Sequence, residues 1–129
     1  PAMLSTAPVT ATIPFRDLER AQDFYGARLG LRLLSGSVKE GHLEFGAGEG
    51  TTVQLFESSS DRKSDNTAAT FEVTNLEEEM AELRRKQVAF EDYDLPGLKT
   101  LEGVATMGIH RAAWFKDPDG NVLCLHQGP

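Results

Sequence analysis

Cysteine is almost absent from the 129 residues: Cys124 stands alone. A single thiol excludes an intrachain disulfide framework and any zinc cage built from several cysteines, and it fits a reducing, cytoplasmic setting. Cations are also scarce. Lys+Arg number 13 against 20 Asp+Glu, a formal net charge of −7, so the basic surface that drives phosphate binding is missing and no nucleic-acid partner is expected. No apolar run approaches the roughly 18 residues of a membrane-spanning helix, so no membrane partner is expected either. Pro1–Thr6 lacks the basic flank and apolar stretch of a secretory signal, and Pro1-Ala2 ahead of Met3 reads as an added or trimmed start. A Gly-x-Ser-x-Gly elbow, a phosphate-binding P-loop and a dinucleotide fingerprint are all lacking, which removes the chemistries those turns support.

What is present is an ordinary globular composition, 40% hydrophobic and 26% charged. The length suits one domain over residues 1–129. Pro8–Phe15 alternates as a half-buried strand does. Asp17 is placed to cap a helix running to about Leu29, with Leu18, Ala21, Tyr25 and Leu29 on one stripe and Gly30 as its stop. Strands are expected over Leu31–Val38, His42–Phe45 and Thr51–Phe56, and a polar linker over Glu57–Asn66. The pattern then restarts. Thr67–Thr74 reads as a strand, and Asn75 with Glu78 has capping-box spacing for a helix burying Leu76, Met80 and Leu83. On that helix Glu77-Glu78-Glu79 precedes Arg84-Arg85-Lys86, a solvated face ordered as the helix dipole prefers. Val88–Tyr93 reads as a strand, Asp94–Gly108 as a loop, and Ile109–Lys116 and Val122–His126 as a hairpin about the turn Asp117-Pro118-Asp119-Gly120.

This is an internal duplication. Asp17-Leu18 corresponds to Asn75-Leu76, and Gly50–Phe56 to Gly120–His126. The repeats are placed at about 8–57 and 67–127, with the extra length of the second in Asp94–Gly108, as a lid, a binding loop or a surface insertion. Fold class follows as α+β: two tandem βαβββ modules forming a curved mixed sheet with helices on the outer face.

Splitting each strand by parity gives an apolar set (Val9, Ala11, Ile13; Val53, Leu55; Phe71, Val73; Leu123, Leu125) expected beneath the helices. The other parity holds Thr10 and Thr12; Thr52, Gln54 and Phe56; Ala68, Thr70 and Glu72; Val122, Cys124 and His126. Such small polar residues suit a sheet face that encloses a moderately polar pocket, or one that is simply wet. Trp114 and Phe115 must point to opposite faces, so only one can line a pocket.

The elements Asp17-Leu18, Phe24-Tyr25, Leu29-Gly30-Leu31 and Asp117-Pro118-Asp119-Gly120-Asn121, set in a duplicated βαβββ frame, resemble the vicinal oxygen chelate superfamily. That superfamily includes glyoxalase I, extradiol dioxygenases, fosfomycin-modifying enzymes and bleomycin-binding proteins. The resemblance implies a homodimer and, in the metal enzymes, four ligands on the first and last strands of each module. Carried onto this chain, those places hold Thr10, Gln54, Ala68 and Cys124. One potential anionic ligand falls short of the three good donors a catalytic metal needs, so no metal and no cofactor are expected. His42, His110 and His126 are the remaining candidates for a displaced site. The reading that follows is a metal-free small-molecule binder, of the sequestering or resistance type. Its ligand contacts are Thr10, Thr12, Gln54, Phe56, Thr70, Glu72, Trp114, Cys124 and His126. A metal-dependent enzyme of the same superfamily, or a metal-free lyase or isomerase using Glu72 or a histidine as base, stands as the alternative.

Overall fold

A computed structural model describes residues 4–6, 8–59 and 66–128, so the expectation about Pro1–Met3 and most of the expected linker lie outside the described residues. The chain forms two compact units, Pro1–Ser60 and Asp61–Pro129. In the first, β1 (Thr10–Phe15) is followed by α1 (Leu18–Gln22), β2 (Arg32–Ser37), β3 (His42–Gly46) and β4 (Thr52–Glu57). The sheet order is β1-β4-β3-β2, with β1 and β4 parallel and the other pairs antiparallel. Asp17 caps α1 as its position predicts, its carboxylate accepting from the Glu19 and Arg20 amides. The helix does not run on as plain α-helix. Asp23–Arg28 widens into a π-helical turn, and the two consecutive aromatics Phe24 and Tyr25 are both buried there. Tyr25 sits among Phe15, Phe24 and Phe45, and with Ile13, Leu18, Leu43 and Leu55 these fill the core between helix and sheet. Val9 departs from the expected apolar set: it precedes β1 and is 84% exposed.

The second unit contains β5 (Thr67–Glu72), α2 (Leu76–Arg85), β6 (Asp94–Leu95), β7 (Leu98–Lys99), β8 (Ala105–Met107), β9 (His110–Lys116) and β10 (Val122–Gln127). Its main sheet runs β5-β10-β9-β8, again with the outer strand of the helix-containing crossover parallel to the last strand. Both sheets are mixed and each carries a helix on one face, an α+β architecture. Asn75 caps α2 through the Glu78 amide, while Gln127 of β10 reaches back to accept from the Leu76 amide at 2.7 Å. The stripe Leu76, Met80 and Leu83 is buried as its spacing requires. On the same side Arg111 forms an ion pair with Glu77, whose carboxyl is held below its usual range chiefly by that bond.

Two expectations fail in the stretch between α2 and β9. Val88–Tyr93 is not a strand; its backbone meets β9 in the bridge of Phe90 to Phe115 and in a bond from the Glu91 amide to the Trp114 carbonyl. The strand that completes the sheet, β8, lies instead inside Asp94–Gly108, which is not a plain loop, and pairs only with His110–Ala112 of β9. Competition for hydrogen bonds explains the exchange. Asp92 and Tyr93 turn away from β9 to bond Thr100 and Gly103, folding the segment into the small β6–β7 hairpin.

Candidate functional site

The helix-free face of each sheet carries the residues singled out by parity. In the first unit, directly paired residues form polar rows: Thr10 with Thr52; Thr12 with Gln54 and Glu44; Pro14 with Phe56 and His42. The Thr10 and Thr52 hydroxyls bond each other at 2.6 Å. Gln54 is half-buried between its neighbours, and Phe56 is 38% exposed at the end of the row. Glu44 accepts from the Ser35 hydroxyl at 3.2 Å.

In the second unit Thr70, Cys124 and Trp114 make one row, and Glu72, His126 and Ala112 the next. Ala68 falls at the irregularity between Val122 and Leu123 and is exposed. Trp114 is half-buried; its indole N–H reaches across β10 to the Thr67 hydroxyl at 3.2 Å, and Tyr93 meets the ring edge-on at 5.8 Å. That bridging over β10 accounts for the burial of Val122 and Cys124 on a face that carries no helix. Phe115, one residue on, is fully buried on the helix side, so the alternation of β9 assigns the two rings to opposite faces.

Burial pushes the Cys124 thiol up to about 11, outweighing hydrogen bonds involving Thr70 and Ala113 that act the other way. The sulfur is therefore a neutral thiol at physiological pH and a poor nucleophile. The sign is definite. The unfolded thiol ionises near 9.0 and the folded one near 11, so the stability this group contributes is complete below pH 9 and lost as pH rises toward 11. Comparing urea midpoints of wild type and Cys124→Ala across that range is expected to show a steeper alkaline fall in the wild type. Thiol reagents at pH 7–8 are expected to leave the native protein unmodified; parallel pH profiles would contradict this account of Cys124.

The remaining titratable residues of this face are joined in line. Glu72 Oε2 lies 2.7 Å from His126 Nδ1, and His126 Nε2 lies 3.0 Å from His110 Nδ1. Strand parity placed His126 on the face of Cys124 and left His110 as a candidate for a displaced metal site or for the histidine base, without joining it to His126. The signal was available: His110, Ala112 and Trp114 share one face of β9. His42, opposite Phe56 and Ser37, belongs to the first unit.

The four places where metal-dependent relatives carry ligands do not fit a divalent catalytic ion. Ala68 has no donor atom, the Thr10 hydroxyl is committed to Thr52, Gln54 offers a neutral amide and Cys124 a neutral thiol. Among the described residues, no group of three or more His, Cys, Asp or Glu is arranged to hold a metal ion. Cavities lie elsewhere in the second unit. One of about 530 Å³ is lined by the β6–β7 hairpin and β8, and one of about 380 Å³ by α2 residues with Leu101, Glu102 and Arg111. Neither contains a residue expected to contact ligand. Among the described residues no helix is long and apolar enough to cross a membrane.

Comparison with known proteins gives a consistent picture. The family model described as Glyoxalase/Bleomycin resistance protein/Dioxygenase superfamily matches residues 7–125. An antibiotic binding protein from Streptomyces sp. CB03234 is 25% identical, with 99% of this chain and 100% of that one covered and a TM-score of 0.76. A glyoxalase/bleomycin resistance protein from the same organism is 26% identical over 94% of this chain and 100% of that one, at a TM-score of 0.70. A superfamily member from Sphaerobacter thermophilus DSM 20745 is 25% identical over 97% and 99%, at 0.72. No curated protein matches the chain.

Proposed function

Because the chain belongs to the glyoxalase/bleomycin resistance protein/dioxygenase superfamily but has no imidazole or carboxylate at the four positions where the resemblance expects metal ligands, we propose that it binds an organic small molecule of the antibiotic class without a metal. The observation that carries this reading is the chemistry at the four positions where the resemblance expects ligands: Thr10 is bonded to Thr52, Gln54 is a neutral amide, Ala68 has no donor atom and Cys124 is a buried thiol, with no imidazole or carboxylate among them. Similarity to an antibiotic binding protein along almost the whole chain supports the ligand class. The helix-free face of the first unit offers Thr10, Thr12, Gln54 and Phe56, and that of the second Thr70, Glu72, Trp114, Cys124 and His126. Hydroxyls and an amide beside aromatic rings suit a flat, partly polar ligand. The net charge of −7 favours neutral or cationic molecules over anions in the approach.

Thermal unfolding against a panel of antibiotics that includes bleomycin, and separately against nickel, zinc, manganese and iron(II), tests this function. A ligand at one hundred times its Kd adds about 2.7 kcal/mol to the folded state, a rise in Tm of several degrees for a chain of this size. At least one antibiotic is expected to produce it. A shift by a metal ion and by no antibiotic would overturn the proposal.

A further inference from the structure

The geometry points to His110 Nε2 as a general base on the helix-free face of the second unit, oriented by His126 and Glu72, that takes the proton of a phenolic hydroxyl on the bound ligand. With Glu72 a carboxylate and both rings neutral, the two hydrogen bonds assign the tautomers. A carboxylate only accepts, so His126 Nδ1, 2.7 Å from Glu72 Oε2, carries a proton. In a neutral His126 ring Nε2 is then an acceptor, and the bond at 3.0 Å requires the proton to sit on His110 Nδ1. His110 Nε2 is left with a lone pair on an exposed residue, and among the described residues nothing bonds it.

The pair is a hydrogen bond rather than a clamp for a metal ion. The ring centroids are 5.1 Å apart and the planes 23° from parallel. With nitrogens 3.0 Å apart, that is close to the largest centroid separation two imidazoles can reach, so the rings meet edge to edge. The two nitrogens point at each other along the line joining the rings, so an ion at ordinary zinc–nitrogen distances of about 2.0 Å from both would lie well off both lone-pair directions. Gly128 leaves room beside both rings: a β-carbon there would lie 3.3 Å from His126 Cε1 and 3.7 Å from His110 Nδ1. The groups facing His126 are Glu72 from β5, His110 from β9 and Cys124 on its own strand. Arg111, next along β9, is turned to Glu77 on the helix side.

The proton account balances. The ligand O–H breaks and an N–H forms at His110 Nε2; the His110 Nδ1 proton passes to His126 Nε2. The positive charge then rests on His126 against the Glu72 carboxylate, and the ligand is held as a phenolate by His110 Nε2–H. A phenol is the class named because its acidity can be matched to an imidazole and because Trp114, on the same face of β9, offers a ring to stack on. The inference rests on the proposed binding at this face and adds ionisation to it.

Two measurements on the full chain test it. Long-range proton–nitrogen NMR at neutral pH is expected to find both His110 and His126 protonated at Nδ1, and His110 to shift toward the Nε2–H form in Glu72→Gln and His126→Ala; a His110 proton at Nε2 in the wild type overturns the inference. The second uses 4-nitrophenol, whose phenolate has its own absorbance. One pH unit below its midpoint, about a tenth is ionised in free solution. Bound to wild type, at least about half is expected to absorb as phenolate, falling back to the solution fraction in His110→Ala with heat of binding still measurable by calorimetry. No binding heat, no gain in phenolate, or a gain that survives His110→Ala each overturn it. Antibiotic binding without nitrophenol ionisation removes this inference alone; loss of both removes the proposed function as well.

Discussion

Phe115→Ala is expected to cost about 3–5 kcal/mol of folding stability, the range for deleting a buried aromatic side chain and leaving a partly relaxed cavity. Phe115 has no exposed surface and meets Phe90 edge-on at 5.5 Å. Its backbone pairs with Leu123, itself fully buried, on a sheet that packs against α2. The ring therefore stands where the helix, β9 and the single bridge at Phe90 converge. Trp114→Ala removes a larger side chain one residue away and is expected to cost much less. Its ring is half-buried on the helix-free face, and the loss includes one neutral hydrogen bond to Thr67, worth about 1 kcal/mol. Urea unfolding should show a large fall in midpoint for Phe115→Ala at an unchanged slope, and a small one for Trp114→Ala. Equal losses would mean that β9 does not sort its two rings between core and open face.

Trp114→Ala is expected to have its main effect on binding. Aromatic anchors in ligand contacts commonly contribute about 2 kcal/mol or more on truncation, so affinity for an antibiotic that stabilises the protein should fall roughly 30-fold or more. Trp114→Phe keeps a ring to stack on but loses the N–H to Thr67, and is expected to retain most of the affinity. Because the chain has a single tryptophan, quenching of its fluorescence reports on this site alone. Affinity unchanged in Trp114→Ala, in a protein that remains folded, would move the ligand away from β9.

Much of the fold could be read from the chain because local signals and packing agree. Asp17 and Asn75 cap their helices, Leu76, Met80 and Leu83 are buried at helical spacing, and the Asp117–Asn121 turn closes through the Asp117 carboxylate onto the Asp119 and Asn121 amides. The second unit's third region was not legible, for a physical reason. Val88–Tyr93 has strand character, but Thr100 and Gly103 compete for the bonds of Asp92 and Tyr93, and no single-segment pattern reveals such a competitor. The π-helical turn after Gln22 is likewise set by packing of Phe24 and Tyr25 rather than by propensity. At the candidate site, parity grouped Thr70 and Glu72 of one strand and Cys124 and His126 of another on one face, and set Trp114 and Phe115 on opposite faces without saying which faces the pocket. The line from Glu72 through His126 to His110 depends on the register of three strands, β5, β10 and β9, which alternation within one strand does not specify.

The most direct test of the whole account is calorimetric titration of the protein with the antibiotic that raises Tm most, before and after exhaustive treatment with a chelator. Thr10, Gln54, Ala68 and Cys124 predict the same affinity in both titrations and no recovery to be gained from added metal. Binding that vanishes on chelation and returns with one equivalent of a divalent ion per chain would contradict the account.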